Sequence, residues 1–180
     1  MLQITIPEQE FWNEETQEFV TAKEQILQLE HSLISISKWE SKWCKVFISK
    51  EEKTYEQTID YIKCMTLNSN VNPNVYSRLT KTNIQEIEDY IAAPMTATYF
   101  SKEAKGRANS EQVTSELIYY WMIALNIPVE FEKWHLNRLL TLIRVCNIKN
   151  APPKKMSKRE IMSRNAQLNA ARRKQLGSKG

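Results

Sequence analysis

Apolar positions along the first thirty residues recur at two-residue spacing, and the period then changes. Leu2, Ile4 and Ile6 alternate with polar residues before Pro7, the pattern of a short half-buried strand with a stop. Phe11-Trp12 and Phe19-Val20 flank the polar stretch Asn13-Glu14-Glu15-Thr16, which predicts a hairpin; Ile26, Leu27 and Leu29 are expected to extend the same small sheet. From Ser32 the spacing becomes three or four. Leu33, Ile36, Trp39, Glu40, Trp43 and Phe47 then share one helical face, and Lys38, Glu40, Lys42 and Lys45 are read as the solvated side. Ser49, with Glu52 three residues on, reads as the capped start of a second helix with the stripe Tyr55, Ile59, Ile62 and Met65. The polar stretch 68–73 breaks it, and 75–79 has room for a single turn.

Thr82 or Asn83 is expected to cap a third helix through Ala93, with Ile84, Ile87 and Ile91 inward and Pro94 as its end. The charged stretch 101–109 carries Gly106 and reads as a surface loop. Ser110 is the expected cap of the next helix, whose apolar side is Val113, Leu117, Trp121, Met122 and Leu125; Asn126-Ile127-Pro128 closes it. One longer helix is expected over 129–147, striped by Leu136, Leu139, Leu140, Ile143 and Cys146 and packed on its predecessor as an antiparallel hairpin. Pro152-Pro153 imposes extended backbone. Beyond it, Ser157-Lys158-Arg159-Glu160 is a capping-box pattern that opens a candidate helix over Lys158–Leu176. The fold class expected is mainly α: a helical domain over 1–150 with an N-terminal β-hairpin or sheet (1–30), and a basic, Pro-Pro-linked helical or flexible tail over 151–180.

Charge sharpens that division. Residues 151–180 hold nine Lys/Arg against the single acid Glu160, a charge of +8; residues 1–150 hold sixteen bases and twenty acids, a charge of −4. Eight uncompensated charges repel one another and add nothing to a core, so the tail is expected to meet a partner. Lys154, Lys155, Lys158, Arg159, Arg164, Arg172, Arg173 and Lys174 are its candidate docking residues. Nucleic acid would be bound in a strongly salt-dependent way. The tail has no aromatic residue to stack on bases and no known nucleic-acid module, which puts docking on an acidic protein surface first, a second copy's acidic body included.

Candidate chemistry is sparse. Cys44, Cys64 and Cys146 are odd in number and widely spaced, so buried free thiols are expected rather than a disulfide framework. Neither His31 nor His135 sits in a metal-ligand spacing, and Glu130/Glu132 and Glu86/Glu88/Asp89 read as solvated helix faces. No Gly-flanked serine elbow and no glycine-rich phosphate loop is present, so no catalytic residue, cofactor or metal is assigned and a binding protein is expected. Trp39, Trp43, Trp121 and Trp134 are read first as core and second as an apolar partner surface. No apolar run exceeds 117–125, too short to span a bilayer, and no leader pattern opens the chain, so a soluble cytoplasmic protein with no membrane partner is expected.

Three stretches carry a family resemblance: Leu27-Gln-Leu-Glu-His-Ser-Leu-Ile-Ser-Ile-Ser-Lys-Trp-Glu-Ser-Lys-Trp43, Glu132-Lys-Trp-His-Leu-Asn-Arg-Leu-Leu-Thr-Leu-Ile-Arg-Val-Cys146 and Leu168-Asn-Ala-Ala-Arg-Arg-Lys-Gln-Leu-Gly-Ser-Lys-Gly180. Through them the chain resembles the tail assembly chaperones of long-tailed bacteriophages. The resemblance implies a protein that binds the long, helical tape measure protein, keeps it soluble while tail tube protein polymerises around it, works in the host cytoplasm and is absent from the mature virion. It brings no catalytic residues and no motif for the binding surface. The alternatives are a structural head-tail or tail component of the virion and a nucleic-acid-binding phage accessory protein.

Overall fold

A computed structural model describes residues 1–13, 17–100, 112–152 and 157–177. The chain divides into two units, Met1–Asn147 and Ile148–Gly180.

The first unit opens with a long antiparallel ribbon. Strands β1 (Leu2–Ile6) and β4 (Gln25–Leu29) pair from Leu2↔Leu29 to Ile6↔Gln25. Strands β2 (Gln9–Asn13) and β3 (Glu18–Ala22) pair from Gln9↔Ala22 to Asn13↔Glu18. Carrying the first register three residues further gives the second, so the two ladders are one ribbon interrupted at Pro7-Glu8 and Lys23-Glu24. Pro7 lacks the N–H that the ladder needs. The guanidinium of Arg78 fills the gap, donating to the carbonyls of Pro7, Ala22 and Lys23. Residues 26–29 form the strand expected to extend the small sheet: β4 pairs with β1, and β2–β3 forms its own ladder.

Ile4, Ile6, Leu27 and Leu29 lie on one face of β1–β4 and are buried there. Asn68 closes part of the other edge of β4, since its Oδ1 accepts from Gln28 N–H at 2.6 Å and its Nδ2 donates to Ile26 O at 3.3 Å.

Helix α1 (Leu33–Trp43) starts at Ser32, whose side chain accepts from Ser35 N–H. It stops at Cys44, which adopts the left-handed conformation at φ 50°. Phe47 therefore lies beyond the helix that was expected to carry it, yet it is buried against Trp39 and Tyr61. Cys44 is exposed, against expectation, because it sits at that turn; Cys64 and Cys146 are half-buried, and all three are free.

Helix α2 (Tyr55–Met65) is capped by Thr54 with Gln57, not by Ser49 with Glu52. The later start turns Tyr55 outward and puts Tyr61, Ile62 and Met65 inside. A 3-10 segment, Pro73–Arg78, buries Val75 and Tyr76. Helix α3 (Lys81–Ala92) has its N-cap two residues before Thr82: Thr80 is the cap and Asn83 its capping-box partner.

Residues 101–109 and Ser110 lie outside the described residues. Helix α4 (Ser115–Ala124) is capped by Thr114 and turns Ile118 and Met122 inward, while Leu117 and Trp121 stay half-buried. The single helix expected over 129–147 is two elements, a 3-10 segment Val129–Lys133 and helix α5 (Leu136–Asn150). The break at Trp134-His135 lets His135 form a bridge with Ser32, and Leu136 N–H donates to His31 O at 2.7 Å. Helix α4 packs chiefly on α1, which replaces the α4–α5 hairpin expected from sequence.

The second unit carries helix α6 (Lys158–Leu176), with the bounds and the Ser157–Glu160 capping box expected from sequence and Gly177 as its left-handed C-terminal residue. No residue of α6 is buried.

Candidate functional site

The polar side chains inside the first unit are held by one another. Trp39 is buried and its Nε1 donates to Gln57 O at 2.9 Å, which makes it core. Trp43 is half-buried; its Nε1 donates to Asp60 Oδ2 at 2.9 Å, and Lys42 pairs with Oδ1 of the same carboxylate. Burial pushes the Asp60 carboxyl up, but the Lys42 and Trp43 hydrogen bonds outweigh it and hold it below the usual carboxylate value.

Glu40, which the sequence pattern sets at the border of the apolar face and the solvated side, is buried. Its two oxygens accept from Phe47 N–H and Ser115 N–H, each at 2.8 Å. One carboxylate thus ties the turn after α1 to the N-terminus of α4, where a negative charge is favoured.

His31 and His135, distant in the sequence and linked by no local pattern, meet with ring centroids 5.0 Å apart. Both are buried. His31 Nδ1 shares a hydrogen with the Tyr61 hydroxyl, and His135 Nε2 bonds to Tyr90 O at 3.0 Å. Burial, reinforced by His135, drives the His31 imidazole down to about 3; burial also lowers His135. Both rings are neutral at ordinary pH. The rings of Phe47, Tyr61 and Tyr90 pack around the pair, which links distant parts of the first unit. Among the described residues no group of three or more His, Cys, Asp or Glu is placed to hold a metal ion.

The remaining carboxylates are dispersed. Glu86, Glu88, Asp89 and Glu130 are exposed, and Glu132 accepts from the Tyr119 hydroxyl at 2.8 Å. Trp134 is half-buried, stacked on Phe131 at 3.9 Å with the Arg138 guanidinium 4.1 Å over its ring. Trp121 is half-buried against the core. Of the four tryptophans singled out from sequence, Trp39 on α1 is buried, and Trp43 on α1, Trp121 on α4 and Trp134 just before α5 are half-buried.

Exposed apolar side chains occur at several places, Tyr120 and Ile123 on α4 among them, and one group of them sits on β2–β3. Phe11 is 42% exposed, Trp12 51%, Phe19 72% and Val20 37%. Trp12 pairs with Phe19 across one face, ring edge to ring at 5.1 Å, and Phe11 pairs with Val20 across the other. The sequence carries the signal for this. Adjacent apolar residues, Phe11-Trp12 and Phe19-Val20, send side chains to opposite faces of a strand, and a core covers only one face. Below this tip, a cleft of about 560 Å³ runs between the ribbon and the 3-10 segment, lined by Phe11, Ala22, Lys23, Asn74, Val75 and Arg78 among others.

Of the tail residues expected to dock a partner, Lys158, Arg159, Arg164, Arg172, Arg173 and Lys174 lie on α6, and Lys154 and Lys155 fall outside the described residues. Successive helical residues turn by about 100°. These six cations therefore spread around the whole circumference of α6; Ile161, Met162, Leu168 and Leu176 fall within an arc of about 120°, but Lys158 and Arg172 lie in the same arc, so no uninterrupted apolar stripe forms. Among the described residues no helix is long and apolar enough to cross a membrane.

Comparison with protein-family models, with curated proteins and with solved structures finds no match to this chain.

Proposed function

We propose that this protein is a phage tail assembly chaperone that binds the tape measure protein and keeps it soluble while the tail tube is built. The observation that carries the reading is the exposed aromatic tip of β2–β3. Four large apolar side chains held on a two-stranded ribbon are costly in water, and such surface marks a protein-interaction site. A holdase needs this kind of surface, and it needs charge around it to remain soluble. The resemblance of 27–43, 132–146 and 168–180 to tail assembly chaperones supports the same conclusion.

The test is co-expression with the tape measure protein of the same phage. The soluble fraction of the tape measure protein is expected to rise several-fold with the chaperone present. An unchanged fraction beside a folded chaperone would overturn the proposal. Purified particles should lack the protein by mass spectrometry; stoichiometric recovery from the virion would make it a structural tail component.

One observation favours a second reading, nucleic-acid binding through α6. A helix with cations on every side presents charge to phosphates on both walls of a groove, whereas docking on a protein surface uses one face. Under this reading affinity for a nucleic-acid duplex falls steeply between 50 and 200 mM salt, on the order of a thousandfold where six phosphates are neutralised.

A further inference from the structure

We propose that the Trp12–Phe19 face of the β2–β3 ribbon is the docking surface, and that its occupant is a basic amphipathic helix of the partner protein. This rests on the partner-binding reading above and adds the chemistry of the segment bound.

Three observations select that occupant. The first is charge: residues 8–24 hold Glu8, Glu10, Glu14, Glu15, Glu18 and Glu24 against Lys23 alone. A ribbon this acidic repels a second copy of itself and attracts a cationic segment. The second is the layout of the two faces. Trp12 and Phe19 share their face with Glu10 and Thr21, all exposed. The opposite face leads into the cleft, whose charged residues Lys23, Glu24 and Arg78 are positive on balance, so a basic segment is less favoured there. The third is shape. Among the described residues β2 and β3 pair only with each other, so their edges are open to an added strand. A strand on an edge would leave the aromatic face in water. A helix laid across the face covers Trp12 and Phe19 with its apolar stripe and brings its flanking lysines or arginines to Glu10 and Glu8.

The experiment uses the full chain and two fluorescent eighteen-residue peptides of helical amphipathic period, one of Leu and Lys, the other of Leu and Glu. Binding is read by anisotropy at low salt. The Leu/Lys peptide is expected to bind and the Leu/Glu peptide to fail. Trp12→Ser with Phe19→Ser should weaken the Leu/Lys peptide by about tenfold or more, as loss of a central aromatic anchor does. Glu8→Lys with Glu10→Lys should weaken it by about fivefold or more by charge reversal. All four residues are exposed, so circular dichroism and the melting temperature should be unchanged.

Equal binding of both peptides, or wild-type affinity in the Trp12/Phe19 variant, overturns the proposal. So does a wild-type dimer in sedimentation that this variant converts to monomer, because the face would then be an interface between copies. The two levels fail separately. Peptide binding through the face without solubilisation of the tape measure protein sinks the chaperone function alone. Solubilisation that survives Trp12→Ser/Phe19→Ser sinks the docking surface alone.

Discussion

Glu40 lies on a helix whose neighbours Lys38 and Lys42 invite a solvated reading, and it is buried because two backbone N–H groups need it. Phe47 N–H and Ser115 N–H both point at its carboxylate. Removing an acceptor from buried donors costs the desolvation of each donor, about 1–3 kcal/mol apiece. Glu40→Ala is therefore expected to lower stability by about 3 kcal/mol in urea unfolding, whereas truncating exposed Glu116 should cost less than about 0.5 kcal/mol. A loss for Glu40→Ala no larger than that of the exposed site would show that water replaces the carboxylate.

The buried histidines make stability pH-dependent in a defined direction. His31 is held neutral, with its pKa lowered from 6.5 to about 3 by burial and by His135. In the unfolded chain the same group takes up a proton as pH falls below about 6.5. Between those values the unfolded state binds more protons, so stability is full above 6.5 and is lost as pH falls toward 3. Integrating from pH 7.5 to 5 gives a loss of about 2 kcal/mol from His31 alone. Urea midpoints measured across that range should fall accordingly. His31→Asn should start less stable and fall less. A wild-type midpoint that stays flat, or rises, on acidification would rule out the neutral buried pair.

At the scale of elements, the β-ribbon shows what local pattern reaches. Alternation of Leu2, Ile4 and Ile6 and the flanking of a polar turn by aromatic pairs placed three strands correctly. The partner of β4 was not legible, because pairing with β1 across the chain is decided by burial of Leu27 and Leu29 against Ile4 and Ile6, not by their own spacing. Helix starts fared unevenly for a related reason. Ser157-x-x-Glu160 capped α6 where expected, in a helix with no buried residue. Ser49-x-x-Glu52 lost to Thr54-x-x-Gln57, which starts α2 where Gln57 and Tyr61 reach the interior. The break in the 129–147 pattern was invisible, since Trp134 and His135 fit a helical stripe and leave it only to meet Phe131 and His31. The docking face was half legible: the apolar pairs are plain in the sequence, but their exposure depends on β2–β3 having no covering layer.

The same ribbon has a joint that can be tested. Arg78 bridges the carbonyls freed where the ladder skips Pro7. Its Nε is buried with no hydrogen-bond partner among the described residues, so part of what the bridge contributes is offset by desolvation. Arg78→Ala is therefore expected to cost only about 1 kcal/mol overall while loosening the outer ribbon. Hydrogen exchange should speed up at β2 and β3 amides and stay slow at β1 and β4. Equal acceleration of all four strands would mean that the ribbon opens as one piece and that Arg78 is no joint.

At the scale of the whole molecule, charge and burial divide the chain at nearly the same place. Residues 1–150 carry −4 and 151–180 carry +8, and α6 contributes no buried residue. A stop after residue 150 removes α6 but keeps the whole of α5, including Ile143, which is part of the core. Stability follows buried apolar surface, and the denaturant slope follows the surface exposed on unfolding. The shortened chain is therefore expected to unfold at the same urea midpoint, within the error of the measurement, and with nearly the same slope. Its charge changes sign, so it should leave a cation-exchange column that retains the full chain, and any affinity for a nucleic-acid duplex should go with the tail. The Trp12–Phe19 face is untouched by the cut, so binding of the Leu/Lys peptide should persist and strengthen slightly as the net charge becomes negative. A lower urea midpoint would show that α6 supports the core, and loss of peptide binding would place the docking surface in the tail instead of on the ribbon.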